Sequence, residues 1–369
     1  MRITSVAIIG AGTMGGGIAI GCLAAGLTTR VIDLDAGSLT TLHTRVQRFF
    51  DRAVEKERMS RAEADAAIGC LRTGNALADV VGADLVIEAV FEDRQVKRDV
   101  LADIGSHLAP DAIVATNTSA LRVADLAASL PCPENFLGLH YFSPAEINPL
   151  VEVVSGPLTA APTVAAALAF LERVGKTALP CRDSSGFAVN RFFCPYTNEA
   201  ARLLDEGIAT TGQIDHVACA AFDLAMGPFA VMNIVRPRIA LNAVQNLAGL
   251  GAFYTPTAAL IAAGETNEPW QIEDDPAPLP DAVQQQVADR LRAALFLPVL
   301  EAIGEDVAAP DDLDLGARMA LRFGLPPVQA MRALGRARTE EVIEPLTRQY
   351  GADMPVAGLK RAFDAPQTD

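Results

Sequence analysis

The chain has 369 residues, half of them hydrophobic and a fifth charged, a globular rather than disordered balance that predicts two or three domains. A formal net charge of −15 excludes a broadly basic surface for nucleic acid or anionic membrane, although a local basic patch could still hold a phosphorylated ligand. Six cysteines without a CxxC pair or zinc-ligand spacing predict reduced thiols filling a core, with neither disulfides nor a metal site. The N-terminus lacks a signal-peptide pattern and no apolar run is long enough to span a bilayer, so a soluble, cytoplasmic protein is expected.

Residues Ile3–Ile9 form a short β-branched apolar run, the mark of a buried parallel strand. A helix is predicted over Met14–Ala25 and a strand over Thr28–Leu34. Helices at Leu39–Lys56 and Arg61–Ile68 precede a strand at Asp84–Ala89, a helix at Glu92–His107 and a strand at Ala112–Ala115. Strands at Phe136–His140 and Leu150–Val154, a helix at Val164–Val174 and a strand at Thr177–Pro180 complete the alternation, which predicts a doubly wound α/β sheet. Beyond Asp183 the strand signals stop, and Ser184–Gly207, Gln213–Ala220 and the segments after Asp281 read as helices. The acidic, proline-rich stretch Glu265–Pro280, with the only tryptophan at Trp270, is the candidate linker. A shift of 99 residues aligns Ile208 with Val307, Ile214-Asp215 with Leu313-Asp314, and Met226-Gly227-Pro228 with Leu325-Pro326-Pro327. This predicts a duplicated helical unit. The expected domains are therefore 1–183, 184–280 and 281–369.

Gly10, Gly12 and Gly15, with Ala11, Thr13 and Met14 between them, form a G-x-G-x-x-G turn between the first strand and the first helix. The glycines permit the tight turn, close approach to a diphosphate and helix–strand packing, while the helix N-terminus offers N–H groups to the anion. Asp33, ending the second strand, is the candidate acceptor for the adenosine ribose hydroxyls, ahead of Asp35, and its charge favours NAD over NADP. A Rossmann-type domain followed by two related all-α units is the expected architecture.

Several stretches then resemble, in order, the signatures of the 3-hydroxyacyl-CoA dehydrogenases. They are VAIIGAGTMGGGIA (Val6–Ala19), ADLVIEAVFEDRQVKRDV (Ala83–Val100), ATNTSALRVADLA (Ala115–Ala127) and GLHYFSPAEINPLVEVV (Gly138–Val154). KTALPCRDSSGFAVNRF (Lys176–Phe192) and AMGPF (Ala225–Phe229) follow. The resemblance covers residues 1–230 closely and the second helical unit more loosely. It implies NAD-dependent oxidation of an (S)-3-hydroxyacyl-CoA to the 3-ketoacyl-CoA, a β-oxidation type of step.

That reaction needs a base of near-neutral pKa for the 3-hydroxyl proton, and His140 matches the family's catalytic histidine. Glu152 matches its carboxylate partner, and a glutamate inside the apolar run LVEVV is costly unless paired. Ser119 and Asn190 match the positions that bind the substrate oxygen, although Ser119 could instead cap the following helix and Asn190 could make an interhelical hydrogen bond. Glu92, Lys97 and Asn117 match positions near the nicotinamide. Helix capping or a surface ion pair is the alternative reading of Glu92 and Lys97, behind the cofactor role. Lys56 resembles a lysine beside the CoA phosphates, and a solvated helix face explains it almost as well. In single-unit relatives the helical domain forms the dimer contact, so this chain is expected to be a homodimer or a monomer with an internal pseudo-dimer.

Three departures stand out. Ala120 replaces a second serine, Ser143 stands where asparagine is frequent, and VMNIVRPRIALNAVQNLAGLGAFYTPT replaces the usual acidic-glycine sequence after AMGPF. That last region borders the acyl pocket in this fold. The same chemistry on a carrier-bound 3-hydroxyacyl group or a small 3-hydroxy acid therefore stays open, as does a non-catalytic NAD-binding role.

Overall fold

Eight short strands, most of them buried, assemble into one sheet in the computed structural model, which describes residues 2–119 and 121–364. In chain order the first unit runs β1 (Ser5–Ile9), α1 (Thr13–Ala24), β2 (Thr28–Ile32), α2 (Ala36–Glu55), α3 (Arg61–Gly69), β3 (Leu71–Gly74), β4 (Leu85–Glu88) and α4 (Arg94–Gly105). It continues through β5 (Ile113–Thr116), α5 (Val123–Ala127), β6 (Phe136–Tyr141), β7 (Leu150–Ser155), α6 (Ala161–Arg173) and β8 (Thr177–Arg182). The strand order is β3-β2-β1-β4-β5-β6-β7-β8, and every pairing is parallel except β6 with β7. The chain winds one way from β1 through β2 to β3, then returns to place β4 on β1's other side. This reversal opens a crevice at the carboxyl ends of β1 and β4, the place where such sheets bind ligands.

Val6, Ile8, Val31, Leu85 and Ile87 pack with Leu139, Tyr141, Val151 and Val153 in the aliphatic core below α1, α2 and α6. Cys22 and Cys194 are core thiols of their respective units, and burial pushes each up to about 12, so neither is reactive at neutral pH. No helix among the described residues is long and apolar enough to cross a membrane.

Three local expectations need correction. The sheet edge β3 has no counterpart in the sequence reading, because only Leu71 of LRTG is buried and an exposed edge strand needs no apolar run. Helix α4 begins at Arg94, capped by Asp93, whose side chain accepts the Val96 N–H at 2.9 Å; Glu92 therefore lies outside the helix. Helix α5 begins at Val123 and takes its cap from Asp183, which accepts the Val123 and Ala124 N–H groups at 3.0 and 2.9 Å. Ser119 is not that cap.

The second unit, Ser184–Asp369, holds helices and no strand among its described residues and packs as one compact unit. It holds α7 (Val189–Asp205), α8 (Thr211–Phe222), α9 (Pro228–Val235), α10 (Pro237–Gln245) and α11 (Ala258–Thr266). Then come α12 (Asp281–Gly304), α13 (Pro310–Leu321), α14 (Pro327–Leu334), α15 (Arg336–Tyr350) and α16 (Val356–Asp364). The 99-residue shift carries α8, α9 and α10 onto the starts of α13, α14 and α15. Local devices repeat with it. Asp215 accepts the Phe229 and Ala230 N–H groups at 2.8 and 3.0 Å, and Asp314 accepts those of Val328 and Gln329 at 2.8 and 3.1 Å. Burial pushes both carboxyls up to about 6 against these donors. Left-handed residues recur as Asp223 (φ 52°) and Arg322 (φ 61°), and positive φ recurs at Arg236 (79°) and Gly335 (81°).

The two sets also bind each other reciprocally. Arg191 of the first meets Glu305 of the second at 2.8 Å, and Arg290 of the second meets Glu206 of the first. The 99-residue shift carries Arg191 onto Arg290 and Glu206 onto Glu305, so the pairs are those of a two-fold interface folded into one chain.

The stretch after α11 is a docked strap rather than a loose linker. Trp270 lies edge-on to Phe229 at 4.9 Å, its backbone N–H donates to Asn233 Oδ1 at 2.7 Å, and Glu273 accepts the Gly212 N–H at 2.8 Å at the start of α8.

Candidate active site

The glycine turn is built for an approaching ligand. Gly10 has φ +104°, and a Cβ on it would lie 2.6 Å from Ala89 O, across the crevice. A Cβ on Gly15 would lie 1.9 Å from Gly10 O, so α1 can sit this close to β1 only with glycine there. Gly12 has no protein atom within 4 Å of its Cβ position and opens outward with Thr13; Met14 is half-buried. No side chain caps α1. Its first N–H groups and partial positive charge therefore point to a site that accepts an anion. Asp33 Oδ2 accepts the Ala11 N–H at 2.7 Å and Oδ1 accepts the Asp35 N–H at 2.9 Å, which fixes the carboxylate at the turn. Asp35 is occupied as the α2 cap, accepting from Gly37 and Ser38. These residues fit a dinucleotide: an uncapped helix end for the diphosphate and a fixed carboxylate, with lone pairs to spare, for ribose hydroxyls.

At the end of β4 a buried charge cluster forms. Lys97 Nζ lies 2.7 Å from Glu88 Oε1 and 3.3 Å from Glu92 Oε2, with the Lys97 and Glu88 side chains wholly buried. Thr116 Oγ1 donates to Glu88 at 2.6 Å and the Val90 N–H donates to it at 2.8 Å, so this carboxylate is fully supported. Glu92 in turn accepts from Thr118 Oγ1 and from the Ser119 N–H at 2.9 Å. The Asn117 N–H donates to Glu88 O at 2.7 Å, and its side-chain oxygen accepts the Tyr141 N–H at 2.9 Å, linking the β5 end to β6. The surface ion pair considered for Lys97 is thus a buried one. Glu88 and Thr118 were missed in the sequence, although Glu88 carries the same signal as Glu152, a lone acid inside an apolar run.

His140 and Glu152 sit directly opposite each other on antiparallel β6 and β7. Their side chains leave the sheet on the same face, away from the Leu139–Tyr141 core, and His140 Nδ1 lies 2.6 Å from Glu152 Oε2. Glu152 is fully buried and His140 is 6% exposed. An ionised carboxylate only accepts, so Nδ1 carries the hydrogen and Nε2 is left as the basic nitrogen. Gly138, two residues before His140, has no room for a side chain, since a Cβ would lie 2.9 Å from Val154 Cβ.

The other candidates fall elsewhere. Asn190 is the second residue of α7, half-buried, in the helical unit. It follows a turn in which Gly186 (φ +76°) and Phe187 (φ +51°) are both left-handed, so the helix expected from Ser184 starts only at Val189. Lys56 is exposed at the far end of α2, a helix of 20 residues. That helix spans about 30 Å, which sets Lys56 apart from the Asp33 end of the turn. Ala120 lies outside the described residues. The stretch following AMGPF becomes α9, α10 and two short turns, with Ile234 and Ile239 exposed.

Residues 5–184 match the model of the 3-hydroxyacyl-CoA dehydrogenase NAD binding domain, and residues 186–261 match that of the 3-hydroxyacyl-CoA dehydrogenase C-terminal domain. The crystal structure of (S)-3-hydroxybutyryl-CoA dehydrogenase from Ralstonia eutropha is 31% identical, with a TM-score of 0.69 over 71% of this chain and 95% of that one. That of 3-hydroxybutyryl-CoA dehydrogenase from Escherichia coli K12 superposes at a TM-score of 0.88 over 98% of both chains, a likeness of fold at 22% identity. The fatty acid oxidation complex subunit alpha of Shewanella amazonensis is 30% identical over 99% of this chain and 56% of its own length. The chain therefore spans about half the length of such curated relatives, or less. The matches to both domain models, together with the Ralstonia enzyme's near-complete coverage, place this chain in the 3-hydroxyacyl-CoA dehydrogenase family.

Proposed function

We propose that the protein oxidises an (S)-3-hydroxyacyl-CoA to its 3-ketoacyl-CoA, reversibly and with NAD. The observation that carries this is the buried His140–Glu152 pair on a family scaffold whose glycine turn and Asp33 fit the dinucleotide. NAD, when bound, supplies the acceptor for the hydride leaving C3. His140 Nε2 takes the 3-hydroxyl proton as that hydride departs, and Glu152 holds the ring in this tautomer and stabilises the imidazolium that forms. Asn190 and Ser119 donate to the substrate oxygen, each such donor lowering the barrier by about 3 kcal/mol in a dry site. Glu92 and Asn117 border the nicotinamide. Lys97 has no exposed surface and acts through Glu92 rather than touching the cofactor. Lys56 is assigned to the CoA phosphates on its resemblance to the family's lysine, with its charge and exposure in support.

The test is NADH oxidation with acetoacetyl-CoA and longer 3-ketoacyl-CoAs. Turnover with at least one acyl-CoA is expected, with NADPH much poorer. NADH binding without turnover of any acyl-CoA would contradict the proposal and turn attention to carrier-linked substrates.

A further inference from the structure

Arg191 stands next to Asn190 in the first turn of α7 and is only 2% exposed. A guanidinium there is costly twice over, since it leaves water and faces the positive end of its own helix. The second helical set offsets that cost. Nη2 lies 2.8 Å from Oε1 of Glu305, the residue that ends α12, and 3.6 Å from Oε2 of Glu301 within α12. Nη1 donates to Ser184 Oγ at 3.1 Å, and the guanidinium lies 5.9 Å from the Tyr254 ring centre. Tyr254 donates its hydroxyl to Glu301. The Arg191 N–H donates to Gly186 O at 3.0 Å, and a Cβ on Gly186 would come within 2.8 Å of Arg191 N. The left-handed turn, Asn190 and Arg191 thus form one block anchored to α12.

The duplicate shows what is special here. The positions equivalent to Asn190-Arg191 are Asp289-Arg290. Arg290 keeps the reciprocal bond to Glu206 and adds Glu199 at 2.7 Å. Asp289, however, is paired with Arg292 at 3.3 Å and Arg338 at 2.6 Å, and α12 runs through this point without a left-handed turn. The second set retains the glutamate that holds its partner's arginine but carries no amide of its own at this position.

We propose that Arg191, held by Glu301 and Glu305, is a positioning residue for Asn190, and that the second helical set contributes to the reaction through this clamp. The proposal rests on the dehydrogenase reading above. The reciprocal Arg290–Glu206 pair, remote in role from Asn190, is a built-in control. In the full-length chain, Arg191→Lys and the double variant Glu301→Gln/Glu305→Gln should lower kcat with acetoacetyl-CoA about 10- to 100-fold, with KM for NADH unchanged. Glu206→Gln should leave kcat within about twofold, even with a similar fall in Tm. In an Asn190→Ala background, Arg191→Lys should add little further loss, because both act through one group. Hydrogen exchange at residues 186–195 reads the clamp independently of turnover, and it should rise in the double variant but not in Glu206→Gln. Equal kcat in the double variant and Glu206→Gln, additive losses with Asn190→Ala, or unchanged exchange at the start of α7 would each overturn the proposal. An inactive wild type that still shows the exchange difference would instead fault the dehydrogenase reading alone.

Discussion

At the scale of single residues, the site rests on charges placed where water is scarce. Glu152 is fully buried, and its contact with His140 offsets part of the cost of that burial. Asp33 is held by two backbone N–H groups at the turn, which leaves it lone pairs for further donors, and under the proposed reading those donors are the ribose hydroxyls. Asp33→Asn should therefore weaken NADH binding and reduce the preference for NADH over NADPH by about tenfold or more, measured as the ratio of kcat/KM values. An unchanged ratio would count against Asp33 as the ribose acceptor. His140 and Glu152 were reached through the family resemblance, with an acid inside an apolar run as the independent signal for Glu152; the antiparallel pairing that sets them opposite each other appears only in the structure. Glu88 was not, although it obeys the same logic, because its partner Lys97 lies on a helix and nothing in the spacing shows that the side chain turns inward. Ser119 was ambiguous for a different reason: the residue that caps α5 is Asp183, 60 positions away in sequence.

At the scale of elements, β1, α1 and β2 follow their sequence pattern closely, since apolar runs and glycines leave the chain few alternatives. The start of α5 shifted because a distant side chain, Asp183, supplies its cap, and β3 went unseen because an exposed edge strand needs no apolar run. Helix α4 is tied to β4 by the wholly buried Lys97–Glu88 pair. Removing one partner leaves the other charge stranded, so Lys97→Met should cost about 3–5 kcal/mol in urea unfolding. Adding Glu88→Gln should recover a large part of that loss. A loss below about 1 kcal/mol for Lys97→Met would show that the pair is solvated in practice.

At the scale of the whole molecule, the chain is a unit matching an NAD binding domain and a helical unit in which a 99-residue shift carries α8, α9 and α10 onto the starts of α13, α14 and α15. The repeat was visible in the sequence through Asp215 and Asp314, and the structure shows why those positions persist: each caps the helix after a left-handed turn. Both carboxyls have folded-state values raised to about 6 from 3.8, chiefly by burial. The folded state then holds more protons than the unfolded one between about pH 4 and pH 6, so this contribution is full at the acid end and declines as pH rises through that window. Asp314→Asn removes one such titration. The stability advantage of wild type over the variant should be larger at about pH 4.5 than at pH 7, by urea unfolding. An equal difference at both values would contradict the burial argument.

The central claim, that His140 oriented by Glu152 is the base for hydride transfer from a 3-hydroxyacyl-CoA to NAD, is tested most directly by steady-state kinetics. The measurement compares wild type, His140→Ala and Glu152→Gln with (S)-3-hydroxybutyryl-CoA and NAD, alongside NADH binding by fluorescence. Both variants should lose about 10²- to 10⁴-fold in kcat while binding NADH nearly as wild type does. Full turnover in His140→Ala would contradict the account.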